Sequence, residues 1–132
     1  MKNLSYFLSV IGFIFFSCSN DDVDSSTELV GKWELIELFA DPGDGNTEFF
    51  SVESKKTLTF KKNGTLISNG NLSSMSVDSD NSSSGSYSAS ESTFTSPECP
   101  DPDYNYSFEQ NGDILIIDYP CIEPCRAKYK KE

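Results

Sequence analysis

The sequence predicts an all-β domain, and three observations carry that reading. From position 29 onward, short segments rich in aromatic and β-branched residues alternate with Gly, Asn, Asp and Pro. No stretch keeps a helical period. Two segments, Phe60-Lys61-Lys62-Asn63-Gly64-Thr65-Leu66 and Phe108-Glu109-Gln110-Asn111-Gly112-Asp113-Ile114, repeat one hairpin design of an aromatic, a polar tip and Asn-Gly.

The elements then follow in order. Strands are expected at 30–39, 55–60, 65–69, 84–89, 92–96, 104–109, 113–119 and 125–130, eight in all to within one. In each of the two hairpins a three-residue loop with Gly in the left-handed conformation would pair Phe60 with Leu66 and Phe108 with Ile114, each couple on one face. The connection 67–86 holds Asn69-Gly70-Asn71 and the run Ser79-Asp80-Asn81-Ser82-Ser83-Ser84, too polar to pack, and is expected to be mobile.

A chain of 132 residues has room for one domain, and the part beyond Cys18 is still long enough to bury a modest core. The formal net charge of -11 repels nucleic acid and anionic headgroups, so nucleic acid is not an expected partner. Lysines cluster at Lys55, Lys56, Lys61 and Lys62 and again at Lys128, Lys130 and Lys131, where solvated strand and hairpin positions are expected. There is no histidine, which removes the commonest general base and the commonest metal ligand.

The first residues have a different character. Met1-Lys2-Asn3 is a short positive start, and residues 4–16 (LSYFLSVIGFIFF) form an apolar run of signal-peptide length, too short to span a bilayer comfortably. The junction Phe15-Phe16-Ser17-Cys18 resembles a lipobox, with small Ser17 before the cysteine. That resemblance implies a lipoprotein signal peptide over 1–17 and lipidation of Cys18 as the mature N-terminus, so that the membrane is a partner through the lipid. Residues 18–28 are acidic and Ser-rich, the composition of a disordered tether. Ser19, Asp21 and Asp22 resemble the short export signal of surface lipoproteins of Bacteroidota, which implies an outer-membrane, cell-surface address.

The body, 29–132, carries a second resemblance. Leu29-Val30-Gly31-Lys32-Trp33 places Gly-x-Trp at the opening of the first strand; Asp41-Pro42-Gly43-Asp44-Gly45 follows it. Further on come Lys56-Thr57-Leu58-Thr59-Phe60 with Asn63-Gly64-Thr65, and Tyr119-Pro120-Cys121-Ile122-Glu123-Pro124-Cys125 before the last strand. Together these resemble the lipocalin-like lipoproteins of Bacteroidota. The resemblance implies a small antiparallel up-and-down β-barrel of about eight strands, shallow because the chain is short. It implies also that Trp33 closes the barrel base under a cation from the final strand, the matching residue being Arg126. Antiparallel pairing strains that match, and Lys128, on the same face of the same strand, is the natural substitute. In so short a barrel the aromatics Phe39, Phe49, Phe50, Tyr87, Phe94, Tyr104, Tyr106 and Tyr119 are expected to fill a core rather than line a cavity.

Three cysteines remain after Cys18, in a compartment that permits disulfides. The expected hairpin register brings the segment around 101 opposite Cys121, which favours a bridge from Cys99 to Cys121 or Cys125 over the short Cys121 to Cys125 loop. No metal is expected: zinc lacks a fourth ligand, and Asp41-Pro42-Gly43-Asp44-Gly45-Asn46 lacks calcium-loop spacing. Carboxylate pairs such as Glu34 with Glu37, or Asp101 with Asp103, suit solvated surface better than acid–base work. The reading is therefore a lipid-anchored, surface-exposed, non-catalytic lipocalin-like protein without cofactor that binds a small apolar ligand or a partner molecule. Its alternative is a protein-binding or protective surface lipoprotein with a filled barrel.

Overall fold

The computed structural model describes residues 25–132 except positions 42 and 46. Cys18, Ser19, Asp21, Asp22 and the whole of 1–17 lie outside the described residues. The described end of the expected tether is not extended coil: Ser25–Leu29 forms a five-residue helix, α1, and Leu29 is buried.

Among the described residues nine strands follow: β1 (Gly31–Ala40), β2 (Phe50–Ser51), β3 (Thr57–Phe60), β4 (Thr65–Ser68), β5 (Ser83–Ser88), β6 (Thr93–Thr95), β7 (Tyr106–Asn111), β8 (Ile114–Tyr119) and β9 (Cys125–Lys131). Sequential neighbours from β3 to β9 pair antiparallel, and β1 pairs with both β3 and β9. Eight strands thus close a meander barrel, as expected, and closure removes the open sheet edges. The two-residue β2 pairs with β1 beyond the end of β3, on the same side.

Side-chain alternation puts Leu58, Phe60, Leu66, Phe108, Leu115, Ile117, Ala127 and Tyr129 inside. Along β1 the alternation changes phase. Trp33 and Leu35 point inward, then a register shift between Leu35 and Glu37 moves the next buried position to Leu38. The interior is occupied by packed rings. Phe60 meets Tyr87 at 5.0 Å and Phe108 at 5.7 Å, Phe94 stacks on Tyr106 at 4.9 Å, and Tyr106 meets Tyr119 edge-on at 6.0 Å. Of the other expected core aromatics, Phe50 and Tyr104 are exposed.

The β3–β4 hairpin closes as expected. Phe60 lies opposite Leu66, the Lys61 N–H donates to the Thr65 carbonyl at 2.9 Å, and Gly64 has a φ of 84°. The β7–β8 hairpin differs. Asn111 pairs with Ile114, leaving Gly112 (φ 60°) and Asp113 as a two-residue turn, and Phe108 lies opposite Ile117 rather than Ile114. A shift by an odd number of residues reverses facing, so Ile114 takes an outward position while Leu115 and Ile117 enter the core.

The same shift corrects the disulfide. Cys99 is free and buried, while Cys121 bonds to Cys125. With β7 and β8 in their actual register the segment opposite Cys121 is three residues further on, and Cys99 sits in the core beside Tyr106 instead. A bridge closing five residues constrains the unfolded chain by about 2 kcal/mol in the chain-entropy model. Non-reducing peptide mapping is expected to give one Cys121–Cys125 peptide, with Cys99 blocked by iodoacetamide only after denaturation. A Cys99-linked peptide would refute the assignment.

Candidate functional site

The two ends of the barrel are built differently. Strand directions gather α1, the 61–64 and 112–113 turns and the C-terminus at one end. The connections 41–49, 69–82, 96–105 and 120–124 gather at the other.

The first end is closed. Trp33 is fully buried, and its Nε1 donates to the Leu29 carbonyl at 2.9 Å, so α1 lies under the indole. The cation over the ring is Lys131, whose Nζ lies 5.4 Å from the ring centroid and donates to the Glu28 carbonyl. This corrects the expectation for Arg126 and Lys128. Antiparallel register sets Lys131 directly beside Trp33 and places Arg126 beside Phe39, five residues or roughly 17 Å up the barrel. Arg126 instead pairs with Asp118 at 2.7 Å, and Lys128 pairs with Glu37 while lying 4.1 Å over Phe49. Gly31 belongs to the same arrangement: its φ is 138°, and a Cβ there would come within 3.0 Å of Lys131 Cε. The Gly-x-Trp triplet therefore gives the covering lysine both its ring and its space.

The second end is open in topology but filled by its own loops. Leu72 from the β4–β5 connection and Cys99 from the β6–β7 connection are buried with Tyr106 and Tyr119. The Tyr119 and Tyr129 hydroxyls are buried without a hydrogen-bond partner of normal geometry. Burial, together with the electrostatic influence of Tyr129 on Tyr119, raises the Tyr119 hydroxyl well above the ordinary phenol value; Tyr129 is raised too, again chiefly by burial.

The β4–β5 connection is pinned rather than loose, and the residue that pins it is a lysine expected in solvent. Lys56 is fully buried, and its Nζ donates to the carbonyls of Asn71 (2.8 Å), Ser74 (2.7 Å) and Ser76 (3.1 Å). An ammonium has three protons, and each has an acceptor. Burial lowers Lys56 to about 8, with Asp78 pulling the other way. Lys56 precedes Leu58 and Phe60 on the inward-facing alternation, a signal present in the sequence; likewise Lys131 continues the series Ala127, Tyr129. Of the other clustered lysines, Lys55, Lys61, Lys62 and Lys130 are exposed.

Backbone and side-chain bonds stitch the approach to β3 onto this loop. Ser54 Oγ donates to the Val77 carbonyl at 2.7 Å, Asn69 Oδ1 accepts from the Thr57 N–H at 2.8 Å, and Asn69 Nδ2 donates to the Lys55 carbonyl at 2.8 Å. Where 52–55 parts from β1, a cleft of about 660 Å³ opens on the outer side of the barrel. Ile36, Val52 and Val77 contribute apolar surface to it, and Glu34, Glu53, Asp78 and Asp80 contribute carboxylates. Among the described residues no group of three metal-ligating side chains comes together.

An eight-stranded meander barrel with an indole-plugged base and long connections at the far end defines a lipocalin-like barrel. The family model of the lipocalin-like domain matches residues 29–117, and the chain belongs to that family. No curated protein and no solved structure matches it.

Proposed function

We propose that this protein is a lipid-anchored, cell-surface, non-catalytic lipocalin-like protein of the outer membrane that binds a small apolar ligand. The observation that carries the ligand reading is the cleft of about 660 Å³ at a barrel whose family fold serves as a binding scaffold. That volume lies within the range of small-molecule sites. Its walls are fixed in advance by the Ser54 and Asn69 bonds, which reduces the ordering cost of binding. Anchoring rests on the Ser17-Cys18 junction behind its apolar run, and surface display on Ser19, Asp21 and Asp22. The Bacteroidota lipoproteins remain the group whose sequence features it resembles.

A second reading has its own support. Leu72, Cys99, Tyr106 and Tyr119 fill the mouth of the barrel, which favours a surface lipoprotein that meets a protein partner or protects the cell with its loops.

Titration of the full chain with the apolar dye N-phenyl-1-naphthylamine is expected to give saturable, one-to-one fluorescence enhancement. Enhancement that rises linearly with dye, without saturation, would favour the second reading. Incorporation of an alkyne-labelled fatty acid into wild type but not Cys18→Ala is the expected result for the anchor, and equal labelling of both would remove it.

A further inference from the structure

The interior of the barrel holds hydroxyls that no neighbouring group accepts from. Tyr129 is wholly buried and Tyr119 exposes 8 % of its surface, and among the described residues neither hydroxyl has a hydrogen-bond partner of normal geometry. Tyr119 ends β8 opposite Cys125, while Tyr129 lies on β9 opposite Leu115, four residues nearer the base than Tyr119. Both side chains point inward, and each hydroxyl is close enough to influence the other's titration. A contact between them can use only one of their two protons, so at least one O–H is without an acceptor. Tyr106 and Cys99, which adjoin Tyr119, bring further proton-bearing groups rather than a carbonyl or a carboxylate. Buried donors in this state cost stability, so packing alone does not account for the cluster.

What shuts this end of the barrel is a loop side chain. Leu72 is buried but belongs to the β4–β5 connection, not to a barrel strand. It lies between Asn71 and Ser74, whose carbonyls Lys56 Nζ holds, and its N–H donates to Ser83 Oγ at 2.9 Å. Beside it a cleft of about 180 Å³ opens between Asn71, Ser83, Ser96 and Cys99. Cys99 borders that cleft on one side and the Tyr106 hydroxyl on the other, so the cleft leads from the surface toward the unpaired hydroxyls.

We infer that the mouth of the barrel is a second binding site, shut by Leu72 in the free protein, for a small neutral molecule that carries a carbonyl oxygen on a short aliphatic body. The carbonyl accepts from Tyr119 and Tyr129, and the body takes the place of the Leu72 side chain. A carbonyl oxygen has two lone pairs and no proton of its own, so it satisfies both hydroxyls and leaves nothing unpaired. An alcohol brings a proton for which the cluster has no acceptor, and a carboxylate brings a charge into apolar surroundings. The one buried cation among the described residues, Lys56, has its three protons accepted by carbonyls already. Burial raises both phenols above their ordinary value, which keeps them donors at physiological pH. The site is separate from the outer cleft, whose walls are β1, 52–55 and 77–80, and does not rest on it.

The test uses the full chain and three six-carbon probes, butyl methyl ketone, hexanol and hexanoate, followed by ligand-observed nuclear magnetic resonance. In wild type the ketone is expected to bind about fivefold more tightly than hexanol, with hexanoate weakest. Leu72→Ala vacates the mouth and should bind the ketone about tenfold more tightly than wild type. Tyr119→Phe with Tyr129→Phe should bring ketone affinity down to that of hexanol while melting no lower than wild type, since the groups removed have no partner. Equal binding of ketone and hexanol by wild type, or a ketone preference that survives in the phenylalanine pair, would overturn the inference. A phenylalanine pair that melts below wild type would show that the hydroxyls already bond an internal water, and would overturn it too. If Leu72→Ala fails to fold, wild type and the phenylalanine pair still decide. N-phenyl-1-naphthylamine is far larger than a leucine side chain, so the dye titration reads the outer cleft. Failure of the ketone therefore leaves the outer cleft standing, and failure of the dye leaves the mouth.

Discussion

Trp33→Ala is expected to cost about 3–5 kcal/mol, which for a domain of this size lowers the melting temperature on the order of 20 °C. The indole is fully buried, and alanine would leave a void between β1 and its neighbours Leu58 and Lys131. The loss extends beyond the ring, because the Leu29 carbonyl would lose its donor and α1 the group that fastens it beneath the barrel. Trp33→Phe separates these contributions. It keeps much of the apolar volume and should cost less, the missing hydrogen bond contributing about 1 kcal/mol. Lys131→Met removes the charge over the ring while keeping most of its stem, for about 1 kcal/mol or less. Phe50→Ala is the control, since that side chain is half exposed, and it should stay within about 0.5 kcal/mol of wild type. Thermal melts followed by far-ultraviolet dichroism give the comparison. As the chain has a single tryptophan, native emission should be that of an indole out of water. Emission near 350 nm, or a Trp33→Ala melt equal to wild type, would show that the base is not closed by this residue.

What could be read from the sequence divides along the two ends of the barrel. Strands were legible because aromatic and β-branched segments stand between turn residues, and Asn63-Gly64 fixes the register of Phe60 with Leu66 locally. The closing tryptophan was legible through the lipocalin resemblance that Gly31 and Trp33 carry at the start of β1. Its covering cation was misread by five residues because it depends on the pairing of the first and last strands, a long-range register that no local motif states. The β7–β8 turn uses the same Asn-Gly as the first hairpin but makes Gly112 the first of two turn residues, and the consequence travels outward to Cys99 and Cys121. The open end was least legible. Its connections have no period, so neither the burial of Leu72 nor the walls of the cleft follow from residue order. Lys56 is the exception, since the alternation Lys56, Leu58, Phe60 points it inward, and the general rule that lysines are solvated concealed it.

Lys56→Met is expected to cost roughly 2–4 kcal/mol at pH 7 and to release the β4–β5 connection. Methionine preserves the stem but leaves the carbonyls of Asn71, Ser74 and Ser76 without their shared donor, each orphaned acceptor costing about 1–3 kcal/mol where water does not reach it. Removing a buried charge offsets part of that loss. The pH dependence distinguishes this from a simple packing defect. Burial lowers Lys56 to about 8 in the folded protein, below its unfolded value near 10.4. Between these limits the unfolded chain binds the extra proton, so stability rises as pH increases from about 8 to about 10, by roughly 3 kcal/mol at most. The buried tyrosines act in the opposite sense. Tyr119 and Tyr129 are raised when folded, so their contribution is complete below the ordinary phenol value near 10 and is lost as the pH climbs beyond it. Wild type should therefore show a maximum near pH 10, and Lys56→Met should lack the rise while keeping the alkaline fall. Urea unfolding at half-unit steps from pH 7 to 11 measures both limbs, and limited proteolysis should cut the variant, not wild type, within 71–80. A rise from pH 8 to 10 of equal size in both proteins would mean that another group titrates there. An uncut loop in the variant would mean that the Ser54 and Asn69 bonds hold the connection without the lysine.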